Sequence, residues 1–157
     1  MNEKLSELSA TIVQTIAELE NIHREILEAE ADDLEKLGRT NRAALLAAGL
    51  IENYYTCLET AFVRISQHFE NNLPPDKWHK ALLEKMQLNI EGVRAPAVSR
   101  ENLPRLAEIL RFRHFKRYYF QIEYDWRKMD YLLALLKEAH PVALADLQKF
   151  RDFLAAI

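Results

Sequence analysis

Cysteine is almost missing from this chain. Cys57 is the only one, so no disulfide can form within the chain and no zinc cage can be built on cysteines. Glycine and proline are scarce as well, three and five in 157 residues. So little turn-forming material excludes a fold of many short strands and favours long helices. No Gly-rich phosphate loop is present, no alternating strand pattern, no repeat and no low-complexity tract. No apolar run is long enough to span a bilayer, so no membrane partner is expected. Residues 1–8 mix charged and apolar groups, unlike a secretion signal. The expectation is a cytoplasmic protein in a reducing compartment.

What is present is a helical pattern. Hydrophobic residues make up 49% of the chain and charged residues 29%, a globular balance at a length suited to one domain over residues 1–157. Leu5, Leu8, Ile12, Ile16, Leu19, Ile22 and Ile26 recur at steps of three and four, and Leu34 and Leu37 extend the series to a stop at Gly38. Thr40 or Asn41 can cap a second helix carrying Leu46, Leu50, Tyr54, Leu58, Phe62, Ile65 and Phe69. A turn at 71–76 precedes a shorter helix from about Asp76, as cap, to about Leu88. A loop over 92–102, containing Pro96, leads to a helix over about 103–120, with Ser99 or Asn102 as its cap and Pro104 tolerated in its first turn. The last segment starts near Asp125, is kinked or broken at Pro141, and keeps its helical step to Leu154. The predicted fold is all-α, an antiparallel bundle of about five helices.

Charge is unevenly spread. The net charge is −3, but residues 1–36 hold ten acids against three bases, a net of −7. Between 105 and 117 the bases are Arg105, Arg111, Arg113, Lys116 and Arg117 against Glu108 alone, a net of +4. One helix thus offers a local anion site on an acidic body. At 100° per residue, Arg113 and Arg117 fall in the apolar stripe of Leu106, Ile109 and Leu110, while His114 and Tyr118 share another side. Arginines in such a stripe line a cleft, meet acids such as Glu52 or Glu59 on the neighbouring helix, or bind phosphate through paired hydrogen bonds.

Other constellations carry less. Glu20-x-x-His23 has the spacing of one di-iron ligand pair, but no second Glu-x-x-His exists, so no metal and no cofactor is expected. His79 reads as a structural histidine, with a cleft role open. His68 and His140 read as helix-end residues, Tyr54 and Tyr55 as packing groups, and Cys57 as core. The acidic first helix reads as a solvated face, or as a cover for the basic helix of its own or a partner subunit.

Four blocks carry a family resemblance. They are Glu52-Asn53-Tyr54-Tyr55-Thr56-Cys57-Leu58-Glu59, then the run from Leu73-Pro74-Pro75-Asp76-Lys77-Trp78-His79 to Met86, then Val93-Arg94-Ala95-Pro96, and Leu110-Arg111-Phe112-Arg113-His114-Phe115. In this order, across about 45–154, the chain resembles the HepT-like branch of the HEPN superfamily. The resemblance implies a HEPN-like bundle that forms a homodimer, works in a toxin–antitoxin type module, and sits beside a minimal nucleotidyltransferase acting as antitoxin. Active members of the family are metal-independent endoribonucleases, with an arginine, four to six residues, a histidine, and a tyrosine two places later. Here Arg113 matches the arginine, Tyr118 stands where the histidine is expected, and Phe120 where the tyrosine is expected.

A tyrosine, with a reference pKa near 10, is a poor base at pH 7. The resemblance therefore implies a ribonuclease-derived protein whose RNA cleavage is weakened or lost. Arg113, His114 and Tyr118 are its candidate catalytic residues. Arg111, Lys116 and Arg117 are its candidate RNA contacts, and Tyr118 and Tyr119 its candidate modification sites. The alternative is a non-enzymatic interaction subunit that docks the nucleotidyltransferase or another protein.

Overall fold

The computed structural model describes residues 2–70, 73, 76–118 and 123–157, with only the backbone of Tyr118. Six α-helices are present among them. α1 (Glu3–Glu28) starts where the Asn2 side chain accepts from the Leu5 amide at 2.9 Å, satisfying one of the free amides of the first turn. It buries Leu5, Leu8, Ile12, Leu19 and Ile26 and leaves most of its acids exposed. A π-helical turn (Ala29–Asp33) and the short α2 (Leu34–Leu37) continue it to Gly38, whose φ of 71° stops the helix.

Thr40 then caps α3 (Asn41–Phe69), accepting from the Ala43 amide. This helix is the hub of the fold. It packs against α1, α4 (Trp78–Met86), α5 (Leu103–Tyr118) and α6 (Trp126–Ala156). Its Tyr54, Tyr55, Leu58, Phe62 and Ile65 are buried on several sides.

Contacts between distant residues give the helix directions. Ser9 meets Arg151 and Glu30 meets Lys137, so α1 and its π extension run antiparallel to α6. Glu59 meets Arg113 and Glu52 meets Arg117, so α5 runs antiparallel to α3. Tyr54 meets His140 and Thr40 meets Trp126, so α3 and α6 run in the same direction. The all-α bundle expected from the helical periodicity is the fold observed, and no strand lies among the described residues.

Three local expectations need correction. α6 runs through Pro141 without a break. The proline lacks one helical hydrogen bond, a cost of about 3 kcal/mol, but buried Leu133, Leu136, Ala139, Ala143 and Leu147 on both sides of it hold the helix in place. His140 is accordingly not a helix end. It is buried at mid-helix, with Nδ1 2.8 Å from the Tyr54 hydroxyl and its ring stacked on His23 at 4.0 Å. Finally, α4 is preceded by Lys77 in the left-handed region (φ 53°), without a side-chain cap, so Asp76 does not cap it.

The loop between α4 and α5 is held by a buried ion. The Arg94 side chain has no exposed surface. It donates to Glu70 and to the carbonyls of Lys85, Leu88 and Ala95. It thereby ties the end of α4 at Lys85 to the loop carbonyls of Leu88 and Ala95. Lys85 also reaches Glu70, at 3.1 Å. The Val93-Arg94-Ala95-Pro96 block thus pins the loop after α4 to the ends of α3 and α4.

Candidate functional site

Glu52, Thr56 and Glu59 are spaced four and three apart on α3, so they share one face. That face meets α5, where Arg113 and Arg117 are four apart. Arg113 Nη2 lies 3.0 Å from each Glu59 carboxylate oxygen, and Nη1 donates to Thr56 Oγ1 at 3.2 Å. The guanidinium also lies over the Tyr55 ring, 4.9 Å from its centroid, a favourable cation–π position. Arg113 and Glu59 side chains are 3% and 8% exposed. An arginine this buried needs a paired carboxylate, and here it has one.

One turn along, Glu52 holds Lys116 at 2.9 Å and Arg117 at 3.4 Å. Burial works to raise the Glu52 pKa, but the hydrogen bonds and charges of Lys116 and Arg117 together hold it below the ordinary carboxylate value. Of the placements open to these arginines, the structure has the pairing with Glu59 and Glu52.

α4 adds the third member of the buried group. His79 Nδ1 lies 2.9 and 3.0 Å from the two Glu59 oxygens and 3.1 Å from Arg113 Nη2. A carboxylate only accepts, so Nδ1 carries the proton and donates to Glu59. Trp78 stacks on the imidazole with ring centroids 3.8 Å apart and fixes its plane. The His79 side chain is 37% exposed. It opens on a groove of about 740 Å³ between the start of α4 and the outer face of α5.

That groove is lined by Lys77, Trp78, His79 and Lys80 on one side and by Leu103, Ala107, Arg111, His114 and Arg117 on the other, with Arg113 at its base. Five cations and two acids, Asp76 and Glu84, border it.

Four of the residues singled out in the sequence therefore meet here: Arg111, Arg113, His114 and Arg117. They do so in different ways. Arg111 and His114 are exposed on the wall, and Arg111 pairs with Glu108 at 3.2 Å. Arg113 turns inward, away from its neighbour His114, and the histidine that reaches its guanidinium is His79. Lys116 is held at Glu52 and does not line the groove. The Tyr118 side chain, Tyr119 and Phe120 lie outside the described residues.

Among the described residues, no three His, Cys, Asp or Glu side chains come together as a metal-binding group. No described helix is long and apolar enough to cross a membrane.

The model of the family described as HepT-like protein matches residues 46–154 of the chain. The chain belongs to this family. No curated protein and no solved structure gives a match. The HepT-like region contains Glu52, Glu59, His79, Arg113 and Arg117, and so the whole groove. α1 lies outside it, although Leu8, Ile12, Leu19 and Ile26 complete the core behind α3 and α6.

The histidine at the centre of the site is brought there by tertiary packing alone. His79 is 34 positions from Arg113 in sequence, and only the tertiary packing of α4 on α3 and α5 unites them. The available signal in the sequence was the Trp78-His79 pair at the start of α4, where a bulky aromatic sits beside a histidine.

Proposed function

We infer that this HepT-like protein is the ribonuclease-derived member of a toxin–antitoxin type module, and that an RNA strand lies along the groove between α4 and α5. Its Arg–His cleavage is weakened, because Tyr118 occupies the position of the motif histidine. The observation that supports this most is the cation-lined groove around Arg113 within the HepT-like region.

Arg113 acts there from below. At 3% exposure it organises Glu59 and His79 rather than gripping a phosphate directly. Arg111 and Arg117 on the wall are the groups in position for RNA phosphates, since a guanidinium matches a phosphate through two parallel hydrogen bonds. Two copies of the chain associate as a homodimer along α5, and the protein works in the cytoplasm beside a minimal nucleotidyltransferase. Tyr118 or Tyr119 is the acceptor if that partner modifies the chain.

The test is binding of a labelled single-stranded RNA across a salt series. Arg117→Ala and Arg111→Ala are expected each to weaken binding and to flatten the salt slope. Binding that ignores salt, or that neither substitution changes, refutes the RNA groove.

A second reading rests on a different hollow, of about 340 Å³, on the other flank of α5 and bordered by Phe112, Phe115, Tyr124 and Met129. Its apolar lining suits a protein side chain, as a non-enzymatic subunit that docks the nucleotidyltransferase would need.

A further inference from the structure

We propose that His79, oriented by Glu59, is the general base of this groove and takes over the task of the histidine absent at position 118. The proposal rests on the reading of the groove as an RNA site.

Three observations carry it. The imidazole lines the groove, partly open to solvent, while Glu59 holds Nδ1 from behind at 2.9 Å. This fixes the tautomer, so that Nε2 is the basic nitrogen, and Nε2 has no hydrogen-bond partner among the described residues. Trp78 stacks on one face of the ring and limits its rotation. Arg113 already neutralises Glu59 through both carboxylate oxygens. The carboxylate therefore orients the imidazole without locking a second positive charge onto it. Glu59 and Arg113 are positioning residues, and only His79 meets the substrate.

The chemistry balances without a metal or a redox partner. Nε2 takes the proton of a ribose 2′-hydroxyl. The 2′-oxygen forms a bond to the adjacent phosphorus as the bond from phosphorus to the 5′-oxygen breaks. The departing 5′-oxygen takes a proton from water, and His79 returns its own to solvent. The products are a 2′,3′-cyclic phosphate and a 5′-hydroxyl end. Arg117 and Arg111, on the same groove, are placed to stabilise negative charge on the phosphate.

The experiment uses the full chain, a labelled single-stranded RNA and a chelator. Cleavage and binding are measured in parallel for the wild type, His79→Ala, His79→Gln and Glu59→Gln, with folding checked by circular dichroism. Slow cleavage by the wild type is expected, giving cyclic phosphate ends. Both His79 variants are expected to lower kcat by about 100-fold or more with the RNA Kd held within about twofold. Added imidazole should restore part of the rate to His79→Ala, which a purely structural role would not allow. Glu59→Gln should lower kcat and leave KM in place.

Cleavage by His79→Ala at the wild-type rate overturns the proposal. Salt-sensitive RNA binding without any wild-type cleavage also overturns it, while leaving the RNA groove intact. Absence of salt-sensitive RNA binding overturns the groove itself, and the base assignment with it.

Discussion

Breaking the Glu59–Arg113 pair from either side should destabilise the fold, and by different amounts. Losing one partner of a buried ion pair leaves the other charge uncompensated, at a typical cost of about 3–5 kcal/mol. The surroundings rank the two variants. Without Arg113, Glu59 still has the His79 Nδ1–H as a donor at 2.9 Å. Arg113→Ala therefore belongs at the low end, about 3 kcal/mol. Without Glu59, the 3% exposed guanidinium keeps no carboxylate, only the Thr56 hydroxyl, the Tyr55 ring and His79 Nδ1 at 3.1 Å. Glu59→Ala belongs at the upper end, about 5 kcal/mol. The double variant Glu59→Leu/Arg113→Met removes both desolvated charges and fills most of the space, so it should be more stable than either single variant.

The assay is urea unfolding followed by far-ultraviolet circular dichroism, comparing midpoints at constant m. Losses below about 1 kcal/mol in both single variants, or costs that add up in the double, would refute the argument. The ranking also bears on activity tests. A small domain holds only about 5–15 kcal/mol in reserve, so an inactive Arg113→Ala variant says nothing about chemistry until its folding has been measured.

Two further outcomes follow from buried polar groups outside the groove. Burial first, and the neighbouring His23 second, push the His140 pKa down from 6.5 to about 4 in the folded chain. The unfolded chain takes up that proton near pH 6.5, so stability should be intact above that pH and fall as pH drops toward 4, by at most about 3 kcal/mol. Melting temperatures between pH 7.5 and 4.5 test this, and a curve for His140→Gln parallel to that of the wild type would rule it out. Arg94→Ala strips partners from Glu70 and three carbonyls and should cost about 3–5 kcal/mol. It should also speed proteolytic nicking within residues 88–102, and a nicking rate unchanged from the wild type would contradict the stapling role.

The long helices were legible because their cores are written at one period. Leu5, Leu8, Ile12, Leu19 and Ile26, with the Gly38 stop and the Thr40 cap, mark α1 to α3 almost to the residue. Short-range signals failed where tertiary packing outweighed them. Pro141 reads locally as a kink or a break, but the burial of Leu136 and Leu147 on either side carries the helix through without a break. Asp76 reads as a cap only if the left-handed turn at Lys77 is unknown. The site was legible by halves. An arginine in an apolar stripe must find a carboxylate or a cleft, and the pairing of Arg113 and Arg117 with acids of α3 was among the placements that the pattern allows. Choosing between them needs the register of two helices more than fifty residues apart in sequence, which no local spacing encodes. Nothing around Val93 and Ala95 in the sequence distinguishes Arg94, a buried stapling arginine, from a solvated one.

The charge map changes meaning once it is folded. The +4 surplus between residues 105 and 117 suggests a strong polyanion site, yet its members are largely matched in space. Arg113 is matched by Glu59, Lys116 and Arg117 by Glu52, Arg111 by Glu108, and Arg105 by Glu101 and Glu138. The pairs differ in how readily an incoming phosphate displaces them. Exposed pairs such as Arg111–Glu108 hold by about 1 kcal/mol or less and exchange freely. The buried Arg113–Glu59 pair does not exchange, because separating it strands a charge. A nucleic acid in the groove therefore gains contacts from Arg111 and Arg117, while Arg113 stays where it is and keeps Glu59 and His79 in register. Few phosphates are neutralised under this arrangement. The slope of log K against log salt should then be about −1.4, as expected for two contacts to a single strand. A slope of about −5 corresponds to roughly seven contacts, more than the five cations that border the groove, and would refute this arrangement.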